Sequence, residues 1–432
     1  MRIDLTAPLK LPCGIDLPNR FLKSAMTEGL ADDHDRATDR HATLYRRWSE
    51  GGTGTLITGN VMIDRRYLER PGNVVIDGNG GMTQLKRWAA AGTAAGNQLW
   101  MQISHPGRQC GKLVSRHPMA PSEVQLNLLG NFGRPVAMSA ADIQDALARF
   151  ARVAGIARDA GFTGVQLHAA HGYLISAFLS PRLNRRTDDW GGSLAARARF
   201  LLEAVARTRR AVGSDFPLAV KLNSADFQKG GFTFDDSIQV AKWLEDAGVD
   251  LIEISGGNYE QPSMFDMQGR PDDAEPPQRQ STRRREAFFL DYAARLRTEV
   301  KLPLAVTGGF RSHDVMIEAL NRQALDVIGL ARPLVTEPDL SRRIIDGTSD
   351  GAIVYERDLR VGKGRFGPNS NIFLFKALNA LGQLAWYYRQ IILLSENHNP
   401  QVHMGLLKAL MRHQTTEIRL ARARRKAMRI DG

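Results

Sequence analysis

The chain has 432 residues, 43% apolar and 24% charged, a balance that excludes a disordered or fibrous polymer and leaves enough length to bury a large core. Basic residues outnumber acidic ones to give a formal net charge of +12, so the surface is cationic on balance. Cys13 and Cys110 are the two cysteines; they cannot supply a four-thiolate iron–sulfur or zinc centre and give no disulfide framework, which points to a reducing compartment.

The N-terminus, Met-Arg-Ile-Asp-Leu-Thr, lacks the long apolar stretch of a secretory signal, so a cytoplasmic location is expected. From Arg20 to Pro333 short apolar runs alternate with longer amphipathic ones, the pattern of βα units that build a parallel sheet. In chain order the strand candidates are Arg20 to Met26, Gly54 to Asn60, Gln98 to Ser104, Gly164 to Ala169, Pro217 to Asn223, Asp250 to Ser255, Pro303 to Thr307 and Asp326 to Leu330. Between them lie helix-period stretches such as Ala140 to Asp159, Ala195 to Val212, Phe234 to Ala247, Glu286 to Val300 and Ser312 to Leu320. Eight strands alternating with helices predict an α/β fold, a closed (β/α)8 TIM barrel over residues 1–346. Gln261 to Arg285 reads as a long loop rich in Pro, Asp and Arg, suited to substrate contacts.

Beyond about Gly347 the alternation stops, and residues 347–432 are expected to form a basic, mostly helical extension. Leu374, Leu378, Leu381, Ala385, Tyr388 and Ile392 recur at steps of three and four, one apolar stripe along a helix. From Arg412 onward the net charge is +5. Three readings of this tail stand side by side. Helices packed on the barrel or on a second subunit weigh most, because an apolar stripe is ordinarily buried. Peripheral contact with an acidic lipid surface would rest on Trp386, Tyr387 and the terminal arginines. Nucleic-acid binding lacks any recognised module. The segment Asn371 to Leu394 is interrupted by Lys376, Gln383, Arg389 and Gln390, so it is not a membrane span.

A barrel places its ligand at the C-terminal ends of its strands, and polar residues gather there: Thr27, Gly59-Asn60, Ser104-His105, His168 with His171, Lys221 with Asn223, Thr307-Gly308-Gly309 and Ala331-Arg332. The most informative run is Gln166-Leu-His-Ala-Ala-His-Gly-Tyr-Leu, which brings two imidazoles and a phenol out of one strand. Both imidazoles can offer N–H donors to one anionic or carbonyl oxygen, and Tyr173 suits delivery of a proton to a carbanion formed beside it. A zinc pair or two structural histidines are the alternatives on residue type alone; the strand-end placement and the adjoining Gly172-Tyr173 favour catalysis, with no metal.

These motifs together resemble the Old Yellow Enzyme group of FMN-dependent oxidoreductases, which are (β/α)8 barrels. The resemblance runs from about Leu17 to Pro333 and rests on Leu17-Pro-Asn-Arg-Phe with Ala25-Met-Thr27, Gly54-Thr-Leu-Ile-Thr-Gly59, Gln102-Ile-Ser-His-Pro-Gly-Arg108, the His168 run, and Thr307-Gly-Gly-Phe with Gly329-Leu-Ala-Arg332. It implies that Ala25, Met26 and Thr27 lie against the flavin, Thr27 near its C4 carbonyl. Gly59 would line the ring through its backbone and Gln102 would bond the pyrimidine edge. Lys221, where the group most often has Arg, would face the N1–C2 edge, and its other reading is a lysine snorkelling from the barrel mouth. Gly308, Gly309, Ala331 and Arg332 resemble the phosphate site, although Gly308-Gly309 alone would equally suit a tight βα turn. Ala25 stands where proline is frequent.

By the same resemblance His168 and His171 clamp the oxygen of an activated alkene, His168 also bordering the cofactor, and Tyr173 is the proton donor. The implied activity is reduction of an α,β-unsaturated carbonyl or nitro compound with NADH or NADPH as reductant. The chain lacks the cysteine cluster of longer relatives, and no second resident dinucleotide is expected. The competing expectation is a flavin-free barrel running lyase or aldolase chemistry on a phosphorylated metabolite, with Lys221 as a Schiff-base amine. The expected partners are a small-molecule substrate and a second copy of the chain, with peripheral lipid contact through the tail and no nucleic acid.

Overall fold

The alternation in the sequence is realised as eight parallel strands closed on themselves in the computed structural model, which describes residues 3–128, 130–255, 290–368 and 370–430. The strands are β1 Phe21–Lys23, β2 Thr55–Ile57, β3 Gln98–Ser104, β4 Gly164–Ala169, β5 Leu218–Asn223, β6 Leu251–Ser255, β7 Leu304–Thr307 and β8 Val327–Leu330. Each pairs with the next, and β8 returns to β1. β1 and β2 are shorter than the apolar runs that announce them. The chain stays tied to its neighbours past their ends, Ser24 N donating to Leu330 O at 2.8 Å and Thr58 N to Trp100 O at 3.0 Å.

Alternation along each strand sorts side chains into two sets. One set points outward and joins the large core formed with the surrounding helices. The inward set begins as an apolar floor of Leu22, Ile57, Trp100, Ala219, Leu251, Ala305 and Val327, met by Leu11 and Leu17 from the ribbon of Leu9–Lys10 and Asp16–Leu17. Two residues further along several strands the inward positions become polar: Gln102, Lys221, Glu253 and Thr307. The floor seals the barrel, and the polar layer above it faces the mouth.

The helices are α1 Asp39–Glu50, α2 Met82–Gly92, α3 Ala140–Asp159, α4 Leu174–Leu179, α5 Leu194–Val212, α6 Phe234–Asp246, α7 Leu290–Arg297, α8 His313–Asn321, α9 Arg332–Thr336 and α10 Leu340–Ile345. Their starts follow from sequence: Ser139 with Asp142 and Thr233 with Asp236 form reciprocal capping boxes on α3 and α6. The expected loop Gln261 to Arg285, and the first residues of the helix expected from Glu286, lie outside the described residues.

The extension folds as α11 Phe373–Ser395 and α12 Leu406–Ile430, packed on each other and on α1. Arg40 reaches Glu396 at 2.9 Å and Arg47 donates to His398 O at 2.7 Å. The expected stripe on α11 is buried only in its second half: Ala385 and Ile392 are inside, whereas Leu374 is 61% and Leu381 38% exposed. The buried face instead carries polar residues. Asn379 holds Val361 N and Phe366 O, and Gln390 exchanges hydrogen bonds with the backbone of Gln401. Period alone does not reveal such groups, because their burial depends on backbone partners outside the helix.

Trp386 and Tyr387, the aromatic pair on which lipid contact would rest, are buried, Trp386 donating to Met404 O at 3.0 Å. Arg424 makes a buried fork to Asp35 at 2.8 and 2.9 Å. Arg70 pairs with Glu417 and lies 4.0 Å over the Tyr388 ring. The tail is therefore fastened to the loops after β1 and β2. Among the described residues no helix is long and apolar enough to cross a membrane.

Burial also fixes an acid limit on stability. It lowers His41 to about 3 and His105 to about 4 from an ordinary 6.5. The unfolded chain protonates both below 6.5 while the folded chain does not, so their contribution is full above that pH and declines as pH falls toward the folded values. Denaturant titrations should show a loss of about 2 kcal/mol per histidine between pH 6.5 and about pH 5, and His41→Asn should flatten that slope.

Candidate active site

Parallel register sets the heights of the inward groups. Gln102 lies beside Gln166, and His168, Lys221, Glu253 and Ala305 form one level across β4 to β7. Glu253 is fully buried at the centre of this level. Its Oε1 accepts from Ser24 Oγ, from Lys221 Nζ at 2.9 Å and from Thr307 Oγ1 at 2.7 Å, while Oε2 accepts from Gln166 Nε2 at 2.8 Å. Gln166 in turn accepts from Gln102 Nε2 at 2.6 Å. Burial opposes ionisation of Glu253, but the Lys221 ammonium and the hydroxyl donors outweigh it and hold the carboxyl below its ordinary range.

Lys221 also donates to Ser24 Oγ at 2.8 Å, which leaves a third N–H for a ligand. It does not snorkel: its side chain is 5% exposed and its charge is matched by Glu253. A lysine held as an ammonium in a buried ion pair is also a poor Schiff-base nucleophile, so the aldolase expectation loses its amine.

Behind the end of β2, Glu28 accepts from Gly59 N at 2.9 Å and from the Tyr45 hydroxyl. A Cβ at Gly59 would come within 2.2 Å of Glu28 Oε2 and 2.6 Å of Met26 O, so only glycine fits this approach of β2 to the chain after β1. Lys23, pointing away from the mouth, donates to Ile57 O at 2.7 Å and lies 4.5 Å over Trp48; burial brings it down to about 7. Thr27 is buried and donates to Glu69 Oε2 at 2.7 Å, and Asn60 Nδ2 reaches the same oxygen at 2.8 Å. Ala25 and Met26 are half-buried between Ser24 and Thr27.

The β4 run leaves its strand as the sequence suggests. His168 is buried, its Nδ1 accepting from Ala170 N at 3.3 Å, which puts the proton of the neutral ring on Nε2. His171 turns through a positive φ of 62°. Its N donates to Asn223 Oδ1 at 3.1 Å, and its Nε2 meets Ser255 Oγ at 2.6 Å. The rings of His171 and Tyr173 stand edge-on to His168, at 5.1 and 4.7 Å between centroids. Burial drives both imidazoles well below their ordinary pKa, the Lys221 charge adding to the effect, so both are neutral. Tyr173 is buried at the start of α4.

Across the mouth, Gly308 and Gly309 follow β7 with φ of 141° and 85°, and Ala331 and Arg332 follow β8. All four are half-buried. Arg332 Nη1 lies 3.3 Å from Glu356, which also takes Arg311 at 2.7 Å. The structure thus collects every expected site residue at the C-terminal ends of the strands. Sequence reasoning left out Ser24, Gln166, Glu253 and Thr307 as a network, together with Glu28, Glu69, Ser255, Arg311 and Glu356. Glu253 had a signal, a carboxylate inside the apolar run Leu-Ile-Glu-Ile-Ser at an inward position, where burial demands partners.

The sequence model of the NADH:flavin oxidoreductase / NADH oxidase family matches residues 4–350. The chain is 37% identical over 358 residues to an NADH-dependent flavin oxidoreductase of Neonectria sp. (strain DH2), covering 78% of this chain and 46% of that protein. It is 35% identical over 358 residues to the NADH-dependent flavin oxidoreductase of Hypocrea jecorina (strain QM6a), covering 88% of it. The chain therefore spans about half of the first relative and most of the second. Among solved structures it is similar to a 2-naphthoyl-CoA reductase in complex with 2-naphthoyl-CoA, with 27% identity and a TM-score of 0.72 over 79% of this chain and 52% of that one. It shares its fold with an old yellow enzyme homologue from Zymomonas mobilis, with 24% identity and a TM-score of 0.68 over 81% of this chain and 95% of that one.

The Glu253–Lys221 pair makes a direct prediction. Removing one member leaves the other charge buried alone, so Glu253→Gln and Lys221→Met should each lower the unfolding free energy by about 3 kcal/mol. The double variant should lose clearly less than the sum of the two, with a coupling above about 1 kcal/mol in urea titrations.

Proposed function

The chain belongs to the NADH:flavin oxidoreductase / NADH oxidase family, the Old Yellow Enzyme group, whose cofactor is FMN and whose reductant is NADH or NADPH; from that premise we propose that its oxidising substrate is an activated alkene, an α,β-unsaturated carbonyl or nitro compound. The observation that carries this reading is the cluster at the end of β4, where the neutral imidazole of His171 and the buried phenol of Tyr173 have ring centroids 5.1 and 4.7 Å from that of neutral His168. The flavin-free lyase gives way to the family assignment.

The residues present fit FMN. At one side of the mouth a pair of positive-φ glycines brings backbone N–H groups forward without a Cβ, beside the guanidinium groups of Arg311 and Arg332, a donor set suited to a phosphate dianion. At the other side Thr27, Gln102 and the third N–H of Lys221 offer hydrogen bonds for a polar ring edge, with Gly59 giving the flat backbone wall against which Ala25 and Met26 would close. Asn60 Oδ1 is buried without a partner at the end of β2, an acceptor that a heterocyclic N–H would satisfy.

When bound, FMN supplies the hydride chemistry between nicotinamide and substrate. The work of this chain is positioning, polarisation and proton delivery. The Nε2–H of His168 would donate to a carbonyl or nitro oxygen, and His171, its backbone N held by Asn223 and its ring by Ser255, would supply a second donor. Donors fixed in place before reaction stabilise negative charge growing on that oxygen at no cost in reorganisation. Tyr173, beside His168, carries the proton for the α-carbon, and Lys221, level with His168 on the neighbouring strand, contributes positive charge already offset by Glu253.

Purified protein should be yellow and lose its visible absorption on anaerobic addition of NADPH or NADH. A panel of enones, enoates and nitroalkenes should restore the colour. Tyr173→Phe should keep the nicotinamide step but slow colour recovery by more than about tenfold, and His168→Ala should slow it by about a hundredfold or more. Equal turnover of wild type and both variants on every alkene would overturn the assignment of these residues.

A further inference from the structure

The phosphate-side arginines are completed by a residue outside the stretch that the family model matches. That match ends at residue 350, and Glu356 lies on a single turn, Tyr355–Arg357, at the start of the extension. Its Oε1 takes Arg311 Nη2 at 2.7 Å and Arg332 Nη1 at 3.3 Å, with side-chain exposures of 15% for Glu356, 14% for Arg311 and 35% for Arg332. Two guanidinium groups from successive βα units would repel each other in such a half-buried place, and one carboxylate between them removes that repulsion. The Arg332 and Arg311 charges outweigh burial and hold Glu356 ionised. Arg332 also lies 6.0 Å from the centroid of the Tyr387 ring on α11.

The backbone around this turn is stitched to the β7 loop. His313 N donates to Asp350 O and Ala352 N to Arg311 O, each at 2.8 Å. Gly351 crosses Arg311 so closely that a Cβ there would lie 2.2 Å from Arg311 O. Past the turn, Gln383 of α11 donates to Leu359 O at 2.7 Å, and Tyr355 packs against Trp386. Glu356 is thus fixed from both sides, by the barrel and by the extension. Arg311 gives one N–H to Glu356 and one to Phe310 O, and Arg332 meets Glu356 as an ion pair, so N–H donors of both guanidinium groups remain for an anion.

We propose that the C-terminal extension is a working part of the FMN phosphate site, with Glu356 as the positioning residue that holds Arg311 and Arg332 toward the phosphate. This rests on reading Gly308, Gly309, Ala331 and Arg332 as that site. It gives the extension a role in cofactor selection: phosphorylated over unphosphorylated flavin.

The test compares binding of FMN and of riboflavin to the full-length chain stripped of flavin, by quenching of flavin fluorescence. Glu356→Gln should weaken FMN by about tenfold, the scale of one misdirected charge-assisted hydrogen bond, and leave riboflavin within about twofold. Glu356→Asp, which keeps the charge on a shorter side chain, should weaken FMN by about threefold. An equal loss for both flavins would mark a merely structural role, and unchanged or tighter FMN binding in both variants would overturn the proposal. Wild type and Arg332→Ala report on the underlying reading separately. If wild type does not prefer FMN, or if Arg332→Ala leaves the preference intact, the phosphate site itself is misplaced and the proposal falls with it.

Discussion

One buried carboxylate organises the mouth of this barrel. Glu253 sits where the apolar floor ends, fully enclosed, and a lone charge there would cost several kcal/mol. The cost is offset because four strand ends each bring a donor to it: Ser24 after β1, Gln166 from β4, Lys221 from β5 and Thr307 from β7. The same contacts that satisfy Glu253 therefore fix Gln102 through Gln166, fix the direction of the Lys221 ammonium, and fix the residue that precedes Gly308. Three of the positions expected to hold a cofactor are steered by a group that is not among them.

The fold is legible in the sequence because its signals are local. An apolar run followed by an amphipathic one, repeated eight times, specifies parallel strands with helical returns, and the register of such a barrel then brings strand ends together whatever the loops do. Thr27, Gly59, Gln102, His168, Lys221 and Arg332 are readable for that reason: each lies in the C-terminal part of a strand or in the few residues after it. The network beneath them is less so. Whether Glu253 meets Lys221, Ser24 or neither depends on the pairing of β5 with β6 and on the closure of β8 onto β1, which are tertiary facts.

The extension shows the limit most plainly. Leu374 and Leu381 satisfy helical period yet face outward, while Asn379 and Gln390 lie inside because the loops on either side of α11 need their amides. Glu356 carries no sequence signal at all, being one glutamate in an unpatterned stretch. Its meaning comes from Arg311 and Arg332, which lie 45 and 24 residues away in the chain and at the ends of different strands.

The charges of the site are arranged so that its donors stay neutral. Lys221, matched by Glu253, adds to the burial that keeps His168 and His171 unprotonated, and a neutral imidazole polarises an oxygen without surrendering its proton outright. On the proposed reading the proton that the product needs comes from another group, the buried phenol of Tyr173, which stands edge-on to His168. The proposed division of labour between polarising histidines and a protonating tyrosine thus rests on where the strands put one lysine and one glutamate. On the opposite side a carboxylate again matches positive charge, Glu356 lying between two arginines whose mutual repulsion it offsets.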